Sequence, residues 1–259
     1  MSHSEEARRR PTKAIVLAAG RGTRLGGATV DRPKCLLEVG GRSLLHRSLA
    51  NLEKAGISET VVVVGHAARP LVEALDQRSG AMRVVPIPTP DYATRGSLGS
   101  LLTAIERTGT APALVLESDL LYHRNFLDEA LSGAASTLLT AGVSGSGDEV
   151  YVCASADRRL MYLGKAPSPE RRALAVGEFA GISLLRESTL LAYAETARRW
   201  LTENRRDAHY EEALLELANA GHRIAVKHCP GLPWTEVDNR ADLARARDRV
   251  WPELRTDAD

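Results

Sequence analysis

An α/β fold is predicted for this chain: a single domain with a mostly parallel, Rossmann-like sheet covered by helices on both faces. Three observations predict it. Apolar runs at 13–17, 61–64 and 113–116 lack polar alternation, the pattern of strands buried on both faces. Amphipathic stretches lie between them: Leu45, Leu49 and Leu52 share one face, and Leu98, Leu101, Leu102 and Ile105 follow the i, i+3, i+4, i+7 rule. The connections are short, and strands alternating with helices build a parallel sheet. With 259 residues and 44% hydrophobic content the chain can bury a large core. One domain over 12–250 is therefore expected, with a disordered lead-in at 1–11 and a tail at 251–259.

Each element follows from its local pattern. The first strand enters a glycine-rich loop, and the helix carrying the Leu45 face closes at Gly56. The 61–64 run is the next core strand, 69–77 reads as helical and 84–87 as extended. A helix starts near Ser97, and the 113–116 strand ends at Glu117-Ser118-Asp119. In the second half, 136–141, 149–153 and 159–163 read as strands of a small inserted β-rich subregion, with a glycine- and serine-rich run ending at Asp148. The 179–185 run returns to the main sheet. Two helices follow, the second with Tyr210, Ala213, Leu214 and Leu217 on one face, then a strand near 224–227 and a terminal helix from about Arg240.

Composition narrows the function classes. A formal net charge of +1 argues against a nucleic-acid-binding protein, which carries a one-sided basic excess. No apolar stretch is long enough to span a bilayer, and the N-terminal MSHSEEARRRP has no apolar run behind its charges. Neither a membrane partner nor a secretory leader is expected. Cys35, Cys153 and Cys229 are odd in number and far apart, which fits a reducing cytoplasm better than a disulfide framework or zinc ribbon. The seven histidines lack ligand spacing.

The first βα connection reads LAAGRGTRLGGATVDRPKCLLEVGG, residues 17–41. Ligands bind beyond the carboxyl ends of strands in open α/β sheets, so this loop stands where a site is expected. Gly20 and Gly22 let backbone approach a phosphate, successive amides can form an anion nest, and Arg21, Arg24 and Lys34 add positive charge. A dinucleotide fingerprint starting at Gly20 would need glycine in place of Leu25, and a Walker loop would need Gly-Lys-Ser/Thr; neither is present. The glycines alone fit a plain turn with surface arginines equally well. Arg24 followed by Pro33-Lys34 makes the string far more specific. Asp119, at a strand end, and Asp238, before the terminal helix, are carboxylates that could equally serve as helix N-caps.

LAAGRGTRL followed by RPKCLLEVGG resembles the signature of nucleotidyltransferases that act on sugar phosphates, phosphocholine and phosphonates. The resemblance implies an enzyme whose nucleotide contacts come from Leu17, Ala18, Ala19, Gly20, Gly22, Thr23, Arg24, Lys34, Gly96, Ser97 and Ser118, with Arg24 and Lys34 catalytic. It implies Mg²⁺ on Asp119 and Asp238, in keeping with that ion's preference for oxygen ligands. Glu117 is placed in an outer shell and Asp242 on a helix surface. The elements ESDLLYHRNFLDEAL, SGSGDEVYV, YLGK, GEFAGIS and HYEEALLEL, in that order, are more similar to the 2-aminoethylphosphonate cytidylyltransferases than to sugar enzymes. The expected partners are CTP and a small phosphonate or phosphate acceptor held by Lys165, Glu178, Tyr210 and Glu211. A homodimer is compatible with the family. His209 stands where those enzymes have an acidic residue, leaving Asp207, Glu211 or Glu212 to meet an amine. Phosphocholine and sugar-1-phosphate chemistry stay open as alternatives, as does a nucleotide-sensing regulatory role.

Overall fold

The computed structural model describes residues 10–25, 32–205 and 208–256. Its strands are β1 (Lys13–Ala18), β2 (Glu38–Val39), β3 (Arg42–Ser43), β4 (Glu59–Val64), β5 (Arg83–Pro88), β6 (Ala113–Glu117), β7 (Leu120–Tyr122), β8 (Ser136–Ala141), β9 (Tyr151–Ala154), β10 (Leu160–Gly164), β11 (Ala175–Leu185), β12 (Ile224–His228) and β13 (Trp234–Glu236). β1 lies between β4 and β6, parallel to both, and β5 continues the parallel half beyond β4. All six residues of β1 are buried, which is why its sequence shows no alternation.

The period of two along β1 sorts its side chains into two cores. Ile15 and Leu17 join Val61, Val63, Leu98, Leu101 and Val115 on one face. Ala14, Val16 and Ala18 join Leu45, Leu49, Leu52, Val62 and Leu114 on the other. The helix Leu44–Lys54 covers the second face, its first turn capped by the Ser43 hydroxyl, which accepts the His46 amide at 3.2 Å.

The expected β-rich insertion is an extension of the same sheet. β11 runs antiparallel to β6 and is long enough to pair with β9 along its first half and with β8 on its other edge. β10 then pairs with β9, and β12 runs parallel to β8. Two short pieces lie off this sheet: the β2–β3 hairpin, and a ribbon of β7 antiparallel to β13. Two- and three-residue strands leave too little periodicity to be read from sequence.

Three expectations are corrected. The helix expected to start near Ser97 begins at Tyr92 and is interrupted at Gly96 (φ 58, ψ −163), a conformation suited to glycine. The expected C-terminal tail is helical over Trp251–Thr256. Trp251 stacks on the Arg47 guanidinium at 4.0 Å and lies so close to Gly40 (φ 60) that a Cβ there would sit 2.1 Å from its ring. Asp242, expected on a helix surface, is buried and accepts the amides of Asp238 and Asn239 at 3.0 Å each. The N-cap of that helix is Asn239, so Asp238 is released from the capping role. Residues 1–9 and 257–259 of the expected termini lie outside the described residues, as does Asp207.

Candidate active site

Two identical tripeptide patterns supply the acidic wall. Glu117-Ser118-Asp119 leaves the end of β6, and Glu236-Val237-Asp238 leaves the end of β13. Each strand ends at its glutamate, and the aspartate follows two residues on, where the chain has left the strand. The amide of Val237 donates to the Asp119 carbonyl at 3.0 Å, and Glu236 is paired with Leu120 across the ribbon, which fixes one pattern against the other. Among the described residues, carboxylate oxygens of Glu117, Asp119 and Glu236 lie within 4.8 Å of one another, close enough to share a cation.

Lys34 is delivered between these walls by the turn Lys34–Leu36, which Pro33 precedes. Gly22 (φ 61) lies against it: a Cβ there would come within 3.1 Å of the Lys34 Cβ. The ammonium contacts Asp119 and reaches Asp238 at 2.5 Å. Arg24 adds a contact to Asp238 at 3.0 Å and a second to Asp148, and Lys165 donates to the other Asp148 oxygen at 2.8 Å. Charges thus alternate without a break through Asp119, Lys34, Asp238, Arg24, Asp148 and Lys165.

The electrostatics follow from burial and these contacts. Burial alone would lower the Lys34 pKa, but Asp119, Asp238 and Glu236 outweigh it and hold the lysine firmly protonated. Burial would raise Asp238; the Lys34 ammonium and Arg24 reverse this and leave it below the usual carboxylate range. Glu117 is pushed well up by burial and by its neighbours Glu211 and Asp119, and Glu236 by burial, Glu117 and Asp119. Lys34 pairs with Asp119 and Asp238, while Glu117 and Glu236 lie beside them and are pushed towards their neutral forms, so ionising this carboxylate group calls for further positive charge. The buried Oδ1 of Asp119 has no hydrogen-bond partner among the described residues. A hard divalent ion fits that deficit: the oxygen-only donor set and the free Asp119 oxygen suit Mg²⁺.

A cavity of about 290 Å³ opens onto these groups. Of the residues expected to bind nucleotide, Leu17, Ala19, Gly20, Arg24, Lys34, Gly96 and Ser97 line it. Ala18, Gly22, Thr23 and Ser118 do not. Ala18 packs into the opposite core, Gly22 supports Lys34, Thr23 is exposed, and Ser118 is buried outside the lining. Both expected metal ligands, Asp119 and Asp238, line the cavity, but Asp238 is tied to Lys34 and Arg24 and stands outside the close carboxylate group.

Of the residues expected to hold the acceptor, Lys165, Glu178 and Glu211 line the same cavity. Tyr210 does not: it is fully buried in the core, its ring centroid 6.1 Å from that of Phe179, and its backbone amide donates to Ser97 Oγ at 2.9 Å. Glu211 Oε2 is buried with no hydrogen-bond partner among the described residues, and burial raises the pKa of this acid. Glu178 accepts the Ser144 amide at 2.7 Å. Glu236 and Asp148 were not singled out in the sequence; the repeated Glu-x-Asp pattern was the available signal for the first.

A larger cleft, about 1150 Å³, is lined in part by Tyr122 of β7 and by the 231–233 segment before β13. Its lining includes Arg42, Arg47, Lys54, Arg124 and Arg255 and, among the described residues, no carboxylate to hold a cation.

A parallel half-sheet with a cationic glycine loop at the end of β1, facing carboxylates from two later strands, defines a nucleotidyltransferase domain. The chain belongs to the MobA-like NTP transferase domain family, whose model matches residues 14–209. It is 32% identical over 253 residues to a CMP-5'-(3-aminopropyl)phosphonate synthase of Streptomyces rubellomurinus, covering 93% of this chain and 39% of that protein. It is 29% identical to a bifunctional IPC transferase and DIPP synthase of Thermococcus kodakarensis, over 92% of this chain and 50% of that one. The chain therefore spans half or less of the length of these relatives. In fold it is similar to the inositol-1-phosphate CTP transferase from T. maritima, with a TM-score of 0.77 at 21% identity over 90% of this chain and 92% of that one. The CTP:phosphocholine cytidylyltransferase from Streptococcus pneumoniae aligns with a TM-score of 0.75 at 21% identity, over 91% and 97% of the two chains. No helix among the described residues is long and apolar enough to cross a membrane.

Proposed function

We propose that this domain transfers CMP from CTP to a small aminoalkylphosphonate, with release of pyrophosphate. The observation that carries the reading is the Lys34 ammonium clasped by Asp119 and Asp238 beside a carboxylate group with room for a divalent ion. The relative from Streptomyces rubellomurinus supports the choice of cytidine and of a phosphonate.

Mg²⁺, held by Asp119 with Glu117, Glu236 or Asp238, would neutralise charge on the triphosphate as the α-phosphorus reacts. Lys34 and Arg24 give the same region fixed positive charge, aimed before the substrate arrives. Lys165 holds the acceptor's phosphonate. The acceptor needs no strong base: the second ionisation of a phosphate lies near ~6 and a phosphonate's is modestly higher, so a substantial share of the acceptor arrives as the dianion. One of its oxygens forms a bond to the α-phosphorus, the bond to the bridging oxygen breaks, and pyrophosphate leaves with that electron pair. Catalysis is then chiefly alignment and charge neutralisation.

An amine on the acceptor fits the remaining chemistry. Seven lining residues are carboxylates (Glu117, Asp119, Asp148, Glu178, Glu211, Glu236 and Asp238) against three lysines and arginines (Arg24, Lys34 and Lys165). The unpartnered Glu211 oxygen is the natural place for an ammonium group. A trimethylammonium is held against aromatic faces, yet of Tyr92, Tyr151, Phe179, Tyr210 and Trp234 the cavity lining includes Tyr92 and Phe179, while Tyr151 and Tyr210 are buried and the Trp234 indole is spent on the Ala180 carbonyl. This disfavours phosphocholine. The test is pyrophosphate release with Mg²⁺ and CTP or UTP, offered 2-aminoethylphosphonate, 3-aminopropylphosphonate, 2-hydroxyethylphosphonate, phosphocholine and glucose-1-phosphate. Turnover confined to a sugar phosphate would overturn the assignment, and absence of any magnesium-dependent release would favour a nucleotide-sensing role.

A further inference from the structure

We infer that Asp148 couples the two substrate sites: one carboxylate occupies the cation of the nucleotide side and the cation of the acceptor side together, and the substrates must expel it. The inference rests on the cytidylyltransferase reading for the roles of Arg24 and Lys165. Arg24 gives Nη1 to Asp148 and Nη2 to Asp238, so both its terminal nitrogens already face carboxylates. A triphosphate gains this guanidinium by exchange. Lys165 Nζ donates to Asp148 Oδ1 at 2.8 Å, so a phosphonate gains that ammonium by displacing the same side chain.

The segment carrying Asp148 is suited to give way. It joins β8 to β9, with Gly145 (φ 72) and Gly147 (φ 87) in left-handed conformations. A Cβ added to Gly142, Gly145 or Gly147 would meet nothing within 4 Å, so the segment has open space at these three positions. One end is tied down where Glu178 accepts the Ser144 amide at 2.7 Å. At the other end, Asp148 is held by its two cations and by a bond from its amide to Ser146 Oγ at 3.2 Å.

Whichever substrate arrives first brings negative charge beside Asp148 and drives it from both cations. The second substrate then finds its cation free. A cost met once by two ligands appears as reciprocal positive coupling.

Isothermal titration with Mg²⁺, α,β-methylene-CTP and methylphosphonate tests this without turnover. In the wild type, saturating methylphosphonate is expected to tighten the CTP analogue by about fivefold or more, within the usual range of coupling factors. Asp148→Asn should bind the CTP analogue alone more tightly than the wild type does, with the coupling factor reduced to near one. Asp148→Glu, which keeps the charge, should retain coupling. A side chain that merely braces the fold would weaken single-ligand binding when replaced, the opposite sign. Wild-type protein that binds both probes without coupling, or Asp148→Asn that keeps it, overturns the role of Asp148 alone. Wild-type protein that binds neither probe overturns the cytidylyltransferase reading and this inference with it.

Discussion

Replacing Lys34 with methionine keeps most of the side-chain volume and removes one charge from the centre of the site. The Lys34 side chain is 14% exposed, and those of Asp119 and Asp238 are 10% and 11% exposed, so solvent screens these contacts little. Breaking a buried ion pair by deleting one partner typically costs about 3–5 kcal/mol. The lower end, ~3 kcal/mol, is appropriate because the carboxylates open onto a cavity. For a domain of this size that corresponds to a fall in Tm of roughly 6–12 °C. The penalty depends on pH. Asp238 has a depressed pKa, so its pairing contributes stability above the unfolded value of about 3.9 and loses it as pH falls through the lower folded value. The difference between wild type and variant should therefore be full near neutrality and shrink in acid. Mg²⁺ supplies a replacement charge and should restore much of the lost Tm in calorimetry. It should not restore turnover, which is expected to drop by at least about 10²-fold, the scale for loss of a preorganised charge-stabilising group. Near-normal pyrophosphate release by Lys34→Met, or a Tm loss unchanged by saturating Mg²⁺, would refute the idea that lysine and metal share these carboxylates.

Glu236→Gln should weaken Mg²⁺ binding by about tenfold or more, read by titration calorimetry. Because burial and neighbouring acids raise Glu117 and Glu236, ligation must displace protons; wild-type metal affinity should rise with pH and the variant's should rise less steeply. Tyr210→Phe should leave kcat/KM for the acceptor within about twofold, since the ring lies in the core; Glu211→Gln should raise the KM of an aminated acceptor by about tenfold, a loss of roughly 1.4 kcal/mol. Gly40→Ala combines a positive φ with a Cβ 2.1 Å from Trp251, and should cost about 2 kcal/mol while shifting tryptophan fluorescence as the terminal helix is displaced.

Local sequence determined whatever depends on a short period. The uninterrupted apolar run of β1 already specifies a strand with a core on either face, and the chain's glycines and cations mark the loop that follows. Tyr210 illustrates both sides of the matter. Its helix pattern with Ala213, Leu214 and Leu217 points to a buried stripe, and that is where the ring lies, although family resemblance argued for the cavity. Glu211, one residue on and a third of a turn round, faces the cavity because of where that helix is docked.

The tertiary structure decided which charges meet. Arg24 and Asp148 are 124 residues apart, and Lys34 and Asp238 are 204 apart. Nothing in either neighbourhood specifies the partner, because such contacts depend on where separate strands deliver their ends. Register across the β7–β13 ribbon, fixed by backbone hydrogen bonds between segments distant in sequence, turns two Glu-x-Asp tripeptides into one acidic site. The sequence determined the residues available for the chemistry, through patterns that act within a few positions. Long-range pairing decided that Glu236 and Asp148 join them, since the electrostatic energy of a charge depends on its neighbours in space.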